Sequence, residues 1–564
     1  MEGDLMTFMS RRSLLISALS AATVTWADAC AMKREPLGRK LEMNHSALEI
    51  TVESKNVQRA FKRTLLGEGL IMGFSYMWDQ QNQRMWPGLM EKIKALDADF
   101  FGHLGGPGVW VHDYHWKECI GPMEKRKDPT PRFHHFDEMN GLTGTHEYGM
   151  MLEEYRHAIG REVLGSIQVN IMTGTAEEAA DWVEYMNGSP KTKWGSVRAD
   201  QGHREPFNVQ YWELGNQPHY TFANVGRLTG VEYSKRVREF TVAMKQRDPN
   251  IKVTAYLPFF AFDGTVAEAA KLGSYIEGVP GVPGKERPTW TELVLQEAGD
   301  IIDALDWHWY GAVNTRYHSY EYIMSSVFDG LHPNIERARK VIKESAPTDE
   351  ARERLSQLVC PEYGAISNNS PVGETATTIY GAVANSRLLH YFLTRDDLRY
   401  AARFGLFAPY PEPKMINDVR TPYMALFGRT DGSDFMGTAI YEMKLLWARA
   451  YLPQVVSANM ANSPEFSTKV PVLDVSALRS TDRESLNLIL TNTGNQSLDP
   501  QIEIKDFKPE SVARLLMISG DLYDDNRWDS RTKVSIQENQ IQVGQKFRLT
   551  LPPNSIAAVL MKQS

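Results

Sequence analysis

A chain of 564 residues is too long for one ordinary core, so at least two folded units are expected. With 42% hydrophobic and 23% charged residues it is not a disordered chain, and a net charge of −8 offers no footing for nucleic acid or an anionic membrane. Cys30, Cys119 and Cys360 form no CxxC or Cys/His spacing, which implies neither a disulfide framework nor a zinc site.

The chain opens with Ser10-Arg11-Arg12-Ser13-Leu14-Leu15, a short apolar run to Trp26, and Ala27-Asp28-Ala29. A basic stretch, an apolar core too short to span a bilayer and a small-x-small site make residues 1–30 an export signal of twin-arginine type. The expected location is periplasmic or extracellular. Cys30 follows a poor lipobox, so a lipid anchor is the minor alternative, and no later segment is long and apolar enough to span a membrane.

From about residue 66 to 450, apolar runs of strand length alternate with helical stretches. The expected strands are Gly69–Tyr76, Ala98–Leu104, Leu164–Asn170, Asn208–Asn216, Ile251–Leu257, Ala304–Tyr310, Gln357–Gly364 and Ala402–Ala408. Amphipathic segments such as Thr175–Met186, Val231–Gln246, Pro333–Ser345 and Thr375–Phe392 lie between them, the first with Thr175 and Glu178 spaced as a capping box. Eight such alternations predict a closed (β/α)8 barrel over 65–452, and no glycine-rich dinucleotide or Walker motif opens any of the helices. After Tyr451 short strand-like runs follow without helices, which predicts a β-sandwich over 453–564. The strand-like stretch 46–64 is expected to join that sandwich from the other end of the chain.

Functional side chains of such a barrel project from the C-terminal strand ends. The fourth strand ends Tyr211-Trp212-Glu213-Leu214-Gly215-Asn216-Gln217-Pro218, and the seventh ends Cys360-Pro361-Glu362-Tyr363-Gly364. A retaining glycosidase needs two carboxyl groups about 5–5.5 Å apart. Glu362 fits the nucleophile, with Tyr310 on the sixth strand placed to hydrogen-bond it; the alternative is an ordinary ion-paired loop glutamate. Trp78, Trp110 and Trp309, at or beyond strand ends, are candidates for stacking on a sugar or for packing. His134 and His135 beside Asp137 lack a third ligand at set spacing, and no metal or other cofactor is expected.

Several segments resemble the family 51 α-L-arabinofuranosidases. Tyr211-Trp212-Glu213-Leu214-Gly215-Asn216 is similar to that family's fourth-strand motif, and Gly174-Thr175-Ala176-Glu177-Glu178-Ala179-Ala180-Asp181-Trp182-Val183-Glu184-Tyr185-Met186-Asn187-Gly188 resembles it closely. Gly144-Thr145-His146-Glu147-Tyr148, Trp116 with Ile120-Gly121-Pro122, His308-Trp309-Tyr310 and Leu551-Pro552-Pro553-Asn554-Ser555 extend the likeness. The resemblance implies a retaining glycoside hydrolase acting on a polysaccharide, oligosaccharide or glycoconjugate, and often a homo-oligomer. It implies Asn216 holding the hydroxyl beside the anomeric carbon that Glu362 would attack, while His103 and His308, by their strand-end positions, are expected to hydrogen-bond a sugar or buttress the catalytic carboxylate.

The departures are equally specific. The family's acid/base glutamate falls on Gln217, whose amide can neither donate the proton a poor leaving group needs nor take one from water. The second-strand Arg-Tyr-Pro-Gly-Gly-Asn of the family becomes His103-Leu104-Gly105-Gly106-Pro107, and Met77 stands where a sugar-binding glutamate is expected. Four readings of Gln217 follow. The chain cleaves substrates with a good leaving group, as thioglucosidases with a glutamine here do; or His112, His115 or His219 supplies the proton. Alternatively it is a carbohydrate-binding pseudoenzyme, or an engineered exchange, which would not account for Met77 and Pro107.

Overall fold

The computed structural model describes residues 47–70, 74–103, 114–127, 143–219, 228–258, 289–312, 319–366, 375–410, 424–429 and 431–564. Residues 1–30, read as an export signal, and His112, His134, His135, Asp137, Trp110 and Pro107 lie outside them, and His103 is described in its backbone only.

Strand β1 (Glu49–Ala60) precedes the barrel. The barrel strands follow: β2 (Gly67–Leu70), β3 (Phe100–His103), β4 (Leu164–Val169), β5 (Tyr211–Leu214), β6 (Lys252–Leu257), β7 (Ala304–Ala312), β8 (Leu358–Ile366) and β9 (Leu398–Phe404). All pair in parallel and in chain order, and β9 returns to β2 to close the barrel. Each strand is followed by one or more helices: α1 (Pro87–Leu96), α2 (Thr145–Ile159), α3 (Ala176–Asn187), α4 (Gly230–Arg247), α5 (Trp290–Ala298), the pair α6 (Tyr320–Ser326) and α7 (His332–Ser345), α8 (Ile379–Leu393) and α9 (Ala439–Ala450). This is the (β/α)8 architecture read from the alternation.

Two strands sit earlier than expected. The first ends at Leu70, and Phe74–Met77 coil into a 3-10 turn. A Cβ on Gly67 would lie 2.7 Å from the Ala401 carbonyl oxygen, so glycine lets β2 and β9 approach at the start of the barrel. The eighth strand is Leu398–Phe404, because Gly405 interrupts it and Phe407–Tyr410 pairs instead in a separate three-stranded sheet.

Strand alternation sorts the barrel interior into layers. Phe100, Tyr211, Ala304, Val359, Tyr400 and Ala402 plug one end, with Phe100 stacked on Tyr400 at 3.9 Å between ring centres. Glu213 and Asp306 follow the plug residues Tyr211 and Ala304 by two positions; Gln168 pairs with Glu213, and Glu362 pairs with His308, two positions beyond Asp306. The outward neighbours Trp212 and Trp307 pack against Trp182 of α3 and Phe392 of α8.

The β-sandwich region comprises β10 (Gln454–Ala461), β11 (Leu473–Arg479), β12 (Ser485–Asn492), β13 (Gln501–Lys505), β14 (Val512–Ile518), β15 (Gln537–Gln542), β16 (Lys546–Arg548) and β17 (Ser555–Lys562). They hydrogen-bond in the order β15-β14-β17-β12-β11-β10-β1-β13-β16. The N-terminal β1 lies between β10 (antiparallel) and β13 (parallel). Every residue of β12 is buried. Its odd-numbered side chains face the barrel helices, where the Asn487 amide donates to the Ala450 carbonyl and Thr491 meets His390 of α8. Strands β10 and β15 escape the sequence pattern: β15 reads Gln-Glu-Asn-Gln-Ile-Gln, an exposed edge that extends only because β14 offers it a ladder.

Candidate active site

Glu362 reaches the barrel interior through a bulge. In register, Val359 pairs with Asp306 and Glu362 with His308, so three steps on β8 match two on β7; the same extra residue recurs against β9. Pro361 lies inside this interval and has no N–H for a ladder bond. The added residue lets Val359 join the apolar plug while Glu362 also points inward. Strict alternation would have turned one of them out.

The Glu362 carboxylate is 3% exposed and has three polar neighbours. The Tyr310 hydroxyl donates to Oε2 at 3.0 Å, the Gln168 amide reaches Oε1 at 3.4 Å, and His308 Nδ1 lies 3.3 Å from Oε2. Burial pushes its pKa up to about 8, against the hydrogen bonds from Tyr310 and Gln168 and with help from the nearby charge of Glu213. Burial likewise raises Glu213 to about 7 despite hydrogen bonds from Ser166, Tyr400 and Gln168, and lifts Asp306 well above the carboxylate range, with the Glu213 charge adding to it. Three carboxyl groups in one dry barrel cannot all be charged.

Gln217 stands on a turn that the sequence prepares. Gly215 has φ +88°, and a Cβ there would lie 2.6 Å from Ile171; Gln217 itself has φ +49°. The turn brings the Gln217 side-chain nitrogen to 3.0 Å from His308 Nδ1, the same nitrogen that faces Glu362. Gln217 and Glu362 thus lie against one imidazole nitrogen, at 3.0 and 3.3 Å from it.

His308 is 3% exposed, and burial lowers its pKa to about 3, so the imidazole is neutral near pH 7. A single Nδ1 serves its two neighbours in one of two ways. With Glu362 protonated, the single lone pair of Nδ1 accepts from Glu362 or from the Gln217 amide, not from both. With Glu362 ionised, Nδ1–H donates to Oε2 and Gln217 presents its oxygen.

The other expected site residues divide. Asn216 is buried beside Gln217 at the end of β5. His103 ends β3 in register with Leu70 and Ile167. Trp309 is a correction: between His308 and Tyr310 it has the opposite parity, and it lines a separate cavity outside the barrel wall. Trp78 is 3% exposed, in a two-residue ladder with Met85, which makes it a packing residue rather than an open stacking face. Neither remaining histidine is shown at the pair. His115 Nδ1 is 3.0 Å from the Glu178 carboxylate, so that glutamate does not complete the expected capping box, although Thr175 does cap α3. His219 is buried and stacks on Tyr256 at 5.3 Å, and Tyr256 in turn meets His308 edge-on at 5.2 Å. Sequence reasoning missed Gln168 and Asp306; the alternation of β4 and β7 marks both as inward once the strand phase is known. Among the described residues no His/Cys/Asp/Glu group could hold a metal, and no helix is long and apolar enough to cross a membrane.

The fold is a closed (β/α)8 barrel whose strand ends bring Glu362 and Gln217 to one histidine. Residues 92–322 match the family model of the α-L-arabinofuranosidase 1 domain. A probable α-L-arabinofuranosidase C of Aspergillus fumigatus is 30% identical over 165 residues, 29% of this chain and 31% of that protein. The intracellular exo-α-(1→5)-L-arabinofuranosidase of Streptomyces lividans is 26% identical over 222 residues, covering 39% and 29%. The match thus spans about three tenths of the length of these curated relatives. In fold, the chain is similar to the α-L-arabinofuranosidase of Thermotoga maritima, solved with arabinose: TM-score 0.72, 23% identity, 92% of this chain and all of that one. The family 51 enzyme of Thermotoga petrophila gives 0.71 over 91%. Residues 92–322 are thus similar to an α-L-arabinofuranosidase domain, and the whole chain shares the fold of family 51 α-L-arabinofuranosidases.

Proposed function

We propose that this chain is an exported retaining glycoside hydrolase, related in action to the α-L-arabinofuranosidases, with an altered sugar site and an acid/base position filled by Gln217. The observation that supports the reading is that Glu362 and Gln217, from two strand ends, both lie against His308 Nδ1, at 3.3 and 3.0 Å. Ionised Glu362 would attack the anomeric carbon of a polysaccharide, oligosaccharide or glycoconjugate, forming a glycosyl-enzyme as the aglycone leaves. Neutral Gln217 gives no proton to that leaving group and takes none from the water of the second step. Substrates with activated leaving groups are therefore favoured, and the intermediate persists. Export rests on the leader in residues 1–30.

The test is intact-protein mass after mixing with aryl glycosides bearing activated leaving groups, arabinofuranosides and pyranosides. A stable sugar adduct on Glu362 is expected, and Gln217→Glu should speed its hydrolysis about 10²–10⁴-fold. No adduct across the panel, with glycans still bound, would favour the second reading, a carbohydrate-binding pseudoenzyme. That reading draws on the same amide and on a Glu362 that keeps its proton at neutral pH.

A further inference from the structure

The loop 519–536, between β14 and β15, leaves the sandwich sheet and fastens onto the barrel. Its Leu522 and Asp524 carbonyls accept from the Tyr380 and Ile379 N–H groups at 2.8 and 3.0 Å, at the N-terminal end of α8. Asn526, 3% exposed, donates to the Val534 carbonyl at 2.8 Å and to the Gly437 carbonyl at 3.0 Å. Gly437 belongs to the three-stranded sheet that follows β9. A helix that follows a barrel strand starts on the face where the strands end, so these anchors set the loop on the mouth side.

Trp528 is the side chain this loop delivers. Arg531 lies over its ring at 4.4 Å and Arg429, from the small sheet, at 5.2 Å; Arg531 also pairs with Asp434. The indole packs on an apolar cluster of Phe404, Ala408, Met424, Phe427 and Met436. Tyr310 packs on the same cluster, edge-on to Phe404 at 6.0 Å between ring centres. Its hydroxyl is the one that donates to Glu362 at 3.0 Å. A partly buried tyrosine keeps one rotamer only where packing holds it, and a hydrogen bond weakens steeply with misalignment. The cluster aims the Tyr310 hydroxyl, and Trp528 covers that cluster from a distant part of the chain.

We infer that Trp528, contributed by the β-sandwich region, is a positioning residue for the barrel site: it holds the apolar cluster that keeps Tyr310 on Glu362. The effect on rate rests on Glu362 as the nucleophile; the effect on Tyr310 does not. Without Trp528 the cluster loosens and the Tyr310 hydroxyl leaves Glu362 part of the time. The carboxylate then loses a donor that favours its charged form.

The experiment places 3-fluorotyrosine at Tyr310 and follows its single fluorine resonance, while adduct formation with activated aryl glycosides is timed across pH on the unlabelled chain. Trp528→Ala should shift and broaden the resonance, slow adduct formation about five- to tenfold and move its pH midpoint upward. Trp528→Phe should restore most of each. In a Tyr310→Phe background, Trp528→Ala should add little further loss of rate, because the group it positions is gone. If Trp528→Ala does not fold, Trp528→Leu gives the same readings with a smaller void. A resonance unmoved by exchange of Trp528, or an undiminished loss of rate in the Tyr310→Phe background, overturns the inference. A resonance that moves in a chain that forms no adduct leaves the positioning standing and counts against Glu362 as nucleophile.

Discussion

Glu362 keeps its proton far above the usual carboxylate range because a barrel interior solvates charge poorly and Glu213 stands nearby. Only the ionised form attacks, so the rate of glycosyl-enzyme formation should rise with pH and level off above about 8; stopped-flow release of the aryl leaving group would show it. The same shift has a sign for stability. Between the unfolded carboxylate pKa of about 4.5 and the folded values near 7 and 8, the native state binds more protons than the unfolded one. The contribution of Glu213 and Glu362 is therefore complete below the unfolded pKa and is lost as pH rises through the folded values. Buried His308 and His390, both lowered to about 3, oppose this below their unfolded pKa of about 6.5. The urea midpoint should fall from pH 6.5 to pH 9, and Glu362→Gln should flatten the fall; a midpoint constant over that range would contradict the raised pKa values.

Two backbone devices at strand ends build the site from these residues. The bulge at Pro361 lets β8 supply both Val359 to the plug and Glu362 to the mouth. The Gly215 turn swings Gln217 onto His308. Gly215→Ala should cost about 1–3 kcal/mol, since φ +88° excludes a side chain and Ile171 occupies the space. It should also slow adduct formation on Glu362; thermal melts and intact mass would report both. The turn was not read from the sequence, which carried the fourth strand through Asn216, past the observed end at Leu214. Nor was the bulge: proline signals a ladder defect, but only the pairing with β7 and β9 shows which way the chain slips.

At the scale of the molecule, the barrel and the β-sandwich region share one interior. β1 enters the sheet from the start of the chain, and Arg387, 1% exposed, joins α6, α8 and the sandwich through three acceptors. Arg387→Ala should cost about 3–5 kcal/mol, because it strands Asp474 without its partner; a calorimetric melting point lowered by several degrees checks this. The sequence alone determined the β/α alternation, the all-β tail, the family likeness and the amide in place of a carboxylic acid. Those are properties of local pattern and of residue identity. Tertiary structure decided that Trp309 faces away from the mouth, that an edge as polar as β15 is a strand, and that one imidazole nitrogen holds Glu362 and Gln217 together. Strand phase, edge pairing and contacts between distant strand ends depend on how the barrel and sheet close, and no local window of sequence contains that closure.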